Sequence, residues 1–216
     1  MEILQVSDVH GSLDAASKVA AKAVDFDVVL VVGDITHFGA VPQAKVLLET
    51  IASSGKPVMF VPGNCDHPSM LSWKPNNKNI VNIHLEKTKL QDYEFIGIGG
   101  GNLSPFNTLT EFSEHEFEKM LNTLQPTSPK FILVSHTPPH GVDADYARGK
   151  HLGSTAIRTF VEKTKPLLVS CGHIHEARSV SKIGETTVVN AGPAKDGFCA
   201  AIEIKDGKVV ASLLNL

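Results

Sequence analysis

Five short apolar runs, each broken off by an Asp, Asn or His, constrain this chain more than any other feature. EILQVS (2–7) leads into Asp8 and His10, and DVVLVV (27–32) into Asp34. VMFVP (58–62) leads into Asn64, FILVS (131–135) into His136, and LLVSC (167–171) into His173 and His175. Such β-branched runs have the length of a buried strand, not of a helix. Between the first three lie stretches with helical spacing. Leu13, Ala16, Val19, Ala20 and Val24 mark one over 12–25, and Val41, Ala44, Leu47, Leu48 and Ile51 mark another over 41–53. This strand–helix–strand rhythm predicts a parallel sheet with right-handed crossovers.

The remainder is less regular. Residues 80–98 read as short strands, IVNIHL and then YEFIGIG after a turn. GIGGGN (97–102) fails the GxGxxG dinucleotide pattern because position 102 is Asn and no helical pattern follows, so it reads as a loop. Residues 112–124 and 154–164 predict amphipathic helices. The tail, 178–216, alternates strands with turns at KIGETT (182–187) and KDGK (205–208), the latter an Asp-Gly hairpin signal. A parallel first half and a strand-rich last third predict an α/β fold, a four-layer α/β/β/α sandwich of two mixed sheets flanked by helices. No Pro- or Ser-rich linker divides it, so residues 1–216 are expected to form a single domain.

Bulk properties exclude several classes. A net charge of −3 argues against a broad nucleic-acid-binding surface. MEILQVSDVH does not read as a signal peptide, because Asp8 and His10 interrupt its apolar run. No run is long and apolar enough to span a membrane. Cys65, Cys171 and Cys199 are widely spaced and form no CxxC, which predicts a reduced, cytoplasmic setting.

In open α/β sheets ligands gather beyond the carboxyl ends of the strands, so the five polar strand ends are expected to converge at one rim. Asp8/His10 and His173/His175 are i, i+2 pairs; on extended backbone both members point to one side, so each pair is expected to grip one ion. Two carboxylates, one amide and four imidazoles are too many donors for one zinc and too nitrogen-rich for calcium. They suit two divalent transition-metal ions, with manganese preferred and nickel, iron, cobalt or zinc admissible. Taken singly, each Asp could be a helix cap and each His a core or surface residue. Recurrence at five strand ends is what favours a site.

These residues resemble the calcineurin-like metallophosphoesterases, whose pattern DxH…GD…GNxD…H…GHxH stands here as Asp8–His10, Gly33-Asp34, Gly63–Asp66, His136 and Gly172–His175. The GHIHE and VNAGPA segments are similar to the Icc-related prokaryotic branch. The resemblance implies one metal held by Asp8, His10, Asp34 and His175. The other would be held by Asp34, Asn64, His136 and His173, with Asp34 and a hydroxide bridging the two. It implies hydrolysis of phosphodiesters or phosphomonoesters, phosphodiesters favoured, on a phosphate-ester small molecule or nucleotide. It leaves a homodimer open.

One position departs from the pattern. Cys65 stands where the family commonly has the His that assists the leaving group, and a thiol is a poor substitute. His67, His37 and His151 are the candidates for that role, beside Asn64; a solvated loop histidine is the bland reading of each. His140, Arg148 and Arg158 are weaker substrate-contact candidates. Cys65 is not a cysteine-phosphatase nucleophile, since Leu71 occupies the position that Cys-x5-Arg would require. Two other functions compete: a protein-interaction module on the same scaffold, as in a retromer subunit, and a double-strand-break nuclease. The intact donor set opposes the first, and the compact acidic chain the second.

Overall fold

The computed structural model describes residues 1–216. Its first strands are β1 (Glu2–Val6), β2 (Val28–Val32), β3 (Val58–Val61), β4 (Ile80–Asn82), β5 (Lys87–Leu90) and β6 (Tyr93–Ile98). Two-residue strands follow at β7 (Gly101–Asn102) and β8 (Glu111–Phe112), then β9 (Phe131–Ser135) and the small pair β10 (Tyr146–Ala147) and β11 (Lys150–His151). The last are β12 (Leu168–Cys171), β13 (Ser179–Ile183), β14 (Thr186–Asn190), β15 (Phe198–Lys205) and β16 (Lys208–Asn215). Helices are α1 (Leu13–Ala23), α2 (Val41–Ala52), α3 (Glu114–Thr123) and α4 (Thr155–Thr164).

Two six-stranded sheets result. One runs β16-β15-β1-β2-β3-β4, and the other β13-β14-β12-β9-β6-β5. In each, four neighbouring strands are parallel: β1 to β4 in the first, and β6, β9, β12 and β14 in the second. Antiparallel strands complete the edges.

Strand alternation sorts the apolar residues into layers. Ile3, Leu30, Val32, Val61, Phe95, Val134 and Ile202 pack between the sheets. Leu4, Val6, Val29 and Val31 face the other way, onto Ala16 and Val19 of α1 and Leu48 and Ile51 of α2. Leu133 and Val169 meet Phe117 of α3 and Ile157 and Phe160 of α4. The predicted four-layer sandwich is the observed one.

Helix starts follow local chemistry. Ser12, Ser113 and Ser154 each accept a backbone N–H from the first turn of α1, α3 and α4. The first helix therefore begins one residue later than the spacing suggested. The third begins at Glu114 because Glu111 and Phe112 are drawn into β8. At KDGK, Lys205 pairs with Lys208, and Asp206 and Gly207 both adopt positive φ, the geometry of a two-residue hairpin. The glycine tract 97–102, expected as a loop, instead ends β6 and forms β7, and it approaches closely: a Cβ on Gly101 would press into the Asn64 side chain.

Candidate metal centre

Loops at the carboxyl ends of β1, β2, β3, β9 and β12 meet at one rim. Asp8 N donates to the Gly33 carbonyl at 3.0 Å and His10 N to the Asp34 carbonyl at 2.9 Å, so the first two loops run side by side. Asp8, His10, Asp34 and His173 all sit at positive φ, between 46° and 69°. For non-glycine residues that costs ~1–3 kcal/mol each, and strain of this kind persists where the surroundings over-determine it. Asp66 is what imposes it on the second loop. Its carboxylate accepts the N–H of Ile35, Thr36 and Gly63 and the Thr36 hydroxyl, tying the loop after β2 to the loop after β3.

The same φ values correct one expectation. The i, i+2 pairs do not lie on extended backbone, and the two histidines of GHIH part company. His175 turns to Asp8, its Nε2 3.0 Å from Oδ1 and 3.3 Å from His10 Nε2. The His173 ring packs edge-on against His136, centroids 5.0 Å apart, while its backbone N–H donates to Asp8 Oδ2. The positive φ at His173 redirects the chain between them.

Three ligand groupings converge. Asp8, His10 and His175 bring ligand atoms within 4.8 Å of one another, and so do Asp8, Asp34 and His136. His10, Asp34 and Cys65 form the third. Asp34 stands between the halves, with Oδ2 3.7 Å from His10 Nε2 and Oδ1 3.4 Å from His136 Nε2. Asp8 is 1% exposed and Asp34 3%, yet neither meets a Lys or Arg side chain. Buried carboxylates without such partners are costly unless a cation joins them.

The His136 side makes the same demand more sharply. His136 Nδ1 lies 2.8 Å from the Val32 carbonyl, which can only accept. In its neutral form the ring carries its proton there and turns a bare Nε2 lone pair inward. Asn64 Oδ1 lies 2.9 Å from that nitrogen. Imidazole nitrogen, amide oxygen and the Asp34 carboxylate thus point lone pairs at one place, which a divalent cation fits and a proton does not satisfy three ways.

Electrostatics agree. Burial pushes the Asp34 carboxyl up to about 6 against the opposing field of His136, with Asp8 and Asp66 adding to the rise. Burial also opposes ionisation of Asp8, but the hydrogen bond from His175 and the fields of His136 and His175 outweigh it and hold the carboxyl below its ordinary range. Burial drives His10 down to about 4 and His173 to about 3, leaving both as neutral ligands at neutral pH. Burial and the adjacent Asp34 carboxylate raise the Cys65 thiol, which keeps it protonated.

The remaining candidates separate. His37 is exposed, its ring 5.6 Å from that of His10 and edge-on to it. His151 Nδ1 is 2.7 Å from the buried Asp145 carboxylate, on the β10–β11 hairpin beside the turn that carries His175. His67 is occupied elsewhere: its Nδ1 is 2.9 Å from the Ser69 hydroxyl and accepts the Ser69 N–H, capping a turn at Pro68–Met70. Arg148 pairs with Glu176, and Arg158 with Glu162 and the carbonyls of His140 and Gly141. Sequence patterns assigned no role to Asp66, Thr108, Glu111 or Asp145. Asp66 alone carried a signal, its place in GNCD.

The sequence pattern of calcineurin-like phosphoesterases matches residues 1–177, a span that contains every donor named above. This chain belongs to that family. The chain is 39% identical over 202 residues to an uncharacterized protein of Methanocaldococcus jannaschii, covering 89% of this chain and 88% of that one. It is 26% identical to a 3',5'-cyclic adenosine monophosphate phosphodiesterase, CpdA, of Vibrio vulnificus, covering 92% and 80%. Its fold matches the protein TT1561 of Thermus thermophilus with a TM-score of 0.75 at 20% identity, over 98% and 97% of the two chains. A dimetal phosphatase from Danio rerio matches with a TM-score of 0.70 at 13% identity, over 100% and 96%.

Proposed function

We propose that this protein is a dinuclear metal-dependent phosphoesterase acting on a phosphodiester or phosphomonoester, with phosphodiesters preferred. The carrying observation is the convergence of ligand atoms from Asp8, His10, Asp34, His136 and His175, with Asn64 Oδ1 beside His136 and no Lys or Arg side chain on the carboxylates. Asp8, His10, Asp34 and His175 would hold one ion, and Asp34, Asn64, His136 and His173 the other. Manganese is the leading choice, with nickel, iron, cobalt or zinc alternatives. When bound, the pair supplies Lewis acidity: neutralised phosphate oxygens and a water acidic enough to ionise near neutral pH.

The protein's own residues set the rest. Asp34 turns one carboxylate oxygen to His10 and the other to His136, so it fixes the separation of the halves. Asn64 adds an uncharged oxygen, which leaves its half the more electron-poor and the better seat for a substrate oxygen. Proton delivery to the leaving group falls to His151, which Asp145 orients, or to His37 beside His10. The pairing of His67 with Ser69 makes it the weakest of the three.

A nucleotide or other small phosphate ester is the substrate class proposed, which the likeness to the Vibrio vulnificus phosphodiesterase supports. Three unpaired, buried cysteines suit a cytoplasmic setting, and no helix is long and apolar enough to cross a membrane. We read residues 1–216 as one domain, because β15 and β16 complete the sheet that β1 begins.

The test is hydrolysis of bis-p-nitrophenyl phosphate and p-nitrophenyl phosphate with manganese, nickel, cobalt or zinc added. Turnover of the diester above the monoester is expected. No turnover with any of the four metals would sink the enzymatic reading.

A further inference from the structure

Asparagine is an ambiguous ligand, because its two ends differ by a half-turn that costs little unless something holds it. Only the oxygen end can bind a cation; the amino end repels one. Here the holding group is identifiable. Asn64 Nδ2 donates to the Thr108 hydroxyl at 2.9 Å. That hydroxyl in turn donates to Glu111 Oε1 at 2.6 Å. A carboxylate can only accept, so the Thr108 proton is spent on Glu111 and its lone pair is what Asn64 meets. A flipped amide would set its oxygen against that lone pair. The direction of the whole chain is therefore fixed from the Glu111 end.

Glu111 is itself well anchored. Its carboxylate accepts the N–H of Thr108 at 2.9 Å, the N–H of Ser104 at 3.1 Å and the Ser104 hydroxyl at 2.7 Å. Burial opposes its ionisation, but these donors together hold the carboxyl below its ordinary range. Gly101 presses on the Asn64 side chain from another side, where any Cβ would crowd it.

We propose that Thr108 and Glu111 are positioning residues that lock the Asn64 amide oxygen inward and thereby set the cation affinity of the His136 half of the centre. This rests on the dinuclear reading above. Loss of such an outer hydrogen bond typically costs ~10–100-fold in metal affinity.

The experiment is manganese titration of metal-free protein by calorimetry, with elemental analysis for stoichiometry, on wild type, T108V, T108S and E111Q. Wild type binds two ions per chain. T108V weakens the second ion by ~10–100-fold and leaves the first unchanged. T108S, which keeps the hydroxyl, restores wild-type binding. E111Q also weakens the second ion, since a carboxamide can donate to Thr108 and release the amide. In an N64D background, where both ends of the ligand are oxygen, T108V loses its penalty. Two ions bound with unchanged affinity in folded T108V overturn the relay and leave the dinuclear reading standing. A wild-type protein that binds only one ion overturns both. Should T108V fail to fold, E111Q is read by the same criteria.

Discussion

At the scale of single residues, burial makes the charged form of Asp34 costly without a cation beside it. Burial raises its carboxyl to about 6 from a reference of 3.8. A raised carboxyl stabilises the fold fully below the unfolded value and loses that contribution as pH rises through about 6. In metal-free protein at pH 7.5 or so, Asp34→Asn is therefore expected to be more stable than wild type by ~1–3 kcal/mol, read by urea denaturation. With metal present the order reverses, and turnover falls more than ~100-fold, beyond the loss usual for an outer-shell change. A variant no more stable than wild type without metal would refute the idea that the buried charge awaits a cation. Cys65 supports a second expectation. Its sulfur lies within 4.8 Å of ligand atoms of His10 and Asp34, and its thiol stays protonated. Cys65→His supplies an imidazole there, and general-acid catalysis is worth ~10²–10⁴-fold. Turnover should rise on alkyl phosphodiesters and change little on p-nitrophenyl esters. Equal effects on both would show that proton donation at this position is irrelevant.

At the scale of elements, β4 and β6 are joined by a histidine outside the metal centre. His84 Nδ1 accepts the Gly99 N–H at 2.9 Å, and its backbone N–H donates to the Asn82 side chain. Asn82 in turn holds the carbonyls of Met70, Leu71 and Trp73, so the turn after β3 hangs on this contact. Burial, aided by Lys74, lowers His84 to about 4. A depressed histidine stabilises the fold above its unfolded value near 6.5, and that contribution is lost as pH falls through about 4. Its share is up to ~3 kcal/mol. His84→Gln should flatten the fall in urea midpoint between those pH values in metal-free protein. An unchanged pH slope in the variant would exclude His84 as a source. Nothing in IVNIHL marked this role, because a histidine closing a short strand looks the same whether it caps, ligates or faces solvent. The serine caps and the Asp-Gly hairpin were legible because their chemistry is local.

At the scale of the whole molecule, the donors come from both sheets. Asp8, Asp34 and Asn64 follow strands of the first, and His136, His173 and His175 follow strands of the second. Another polar tie is Gln5, whose amide crosses the interface to the carbonyls of Cys171 and Val189. Bound ions would thus fasten the sandwich at one end. At about a hundredfold excess over Kd, each site adds ~2.7 kcal/mol to stability. A rise in Tm of ~5 °C or more is expected when manganese is added to chelator-treated protein, followed by differential scanning calorimetry. A Tm indifferent to metal would mean that the donors do not bind across the sheets.

Strand–helix rhythm and the four layers were legible along the chain, as was the set of polar residues that the structure gathers at one rim. Each depends on patterns read over a few neighbouring residues: period, run length, and a polar residue where an apolar run stops. How those side chains are directed was decided only in three dimensions. His173 and His175 are two residues apart, yet one ring packs on His136 and the other meets Asp8, because a positive φ at His173 turns the chain between them. Asn64 presents its oxygen because of Thr108 and Glu111, which lie far along the chain from it. His151 gained Asp145, while His67 was lost to Ser69. Which polar residues end the strands is a property of the chain, but the direction of their side chains depends on contacts between distant loops, and no local pattern encodes those.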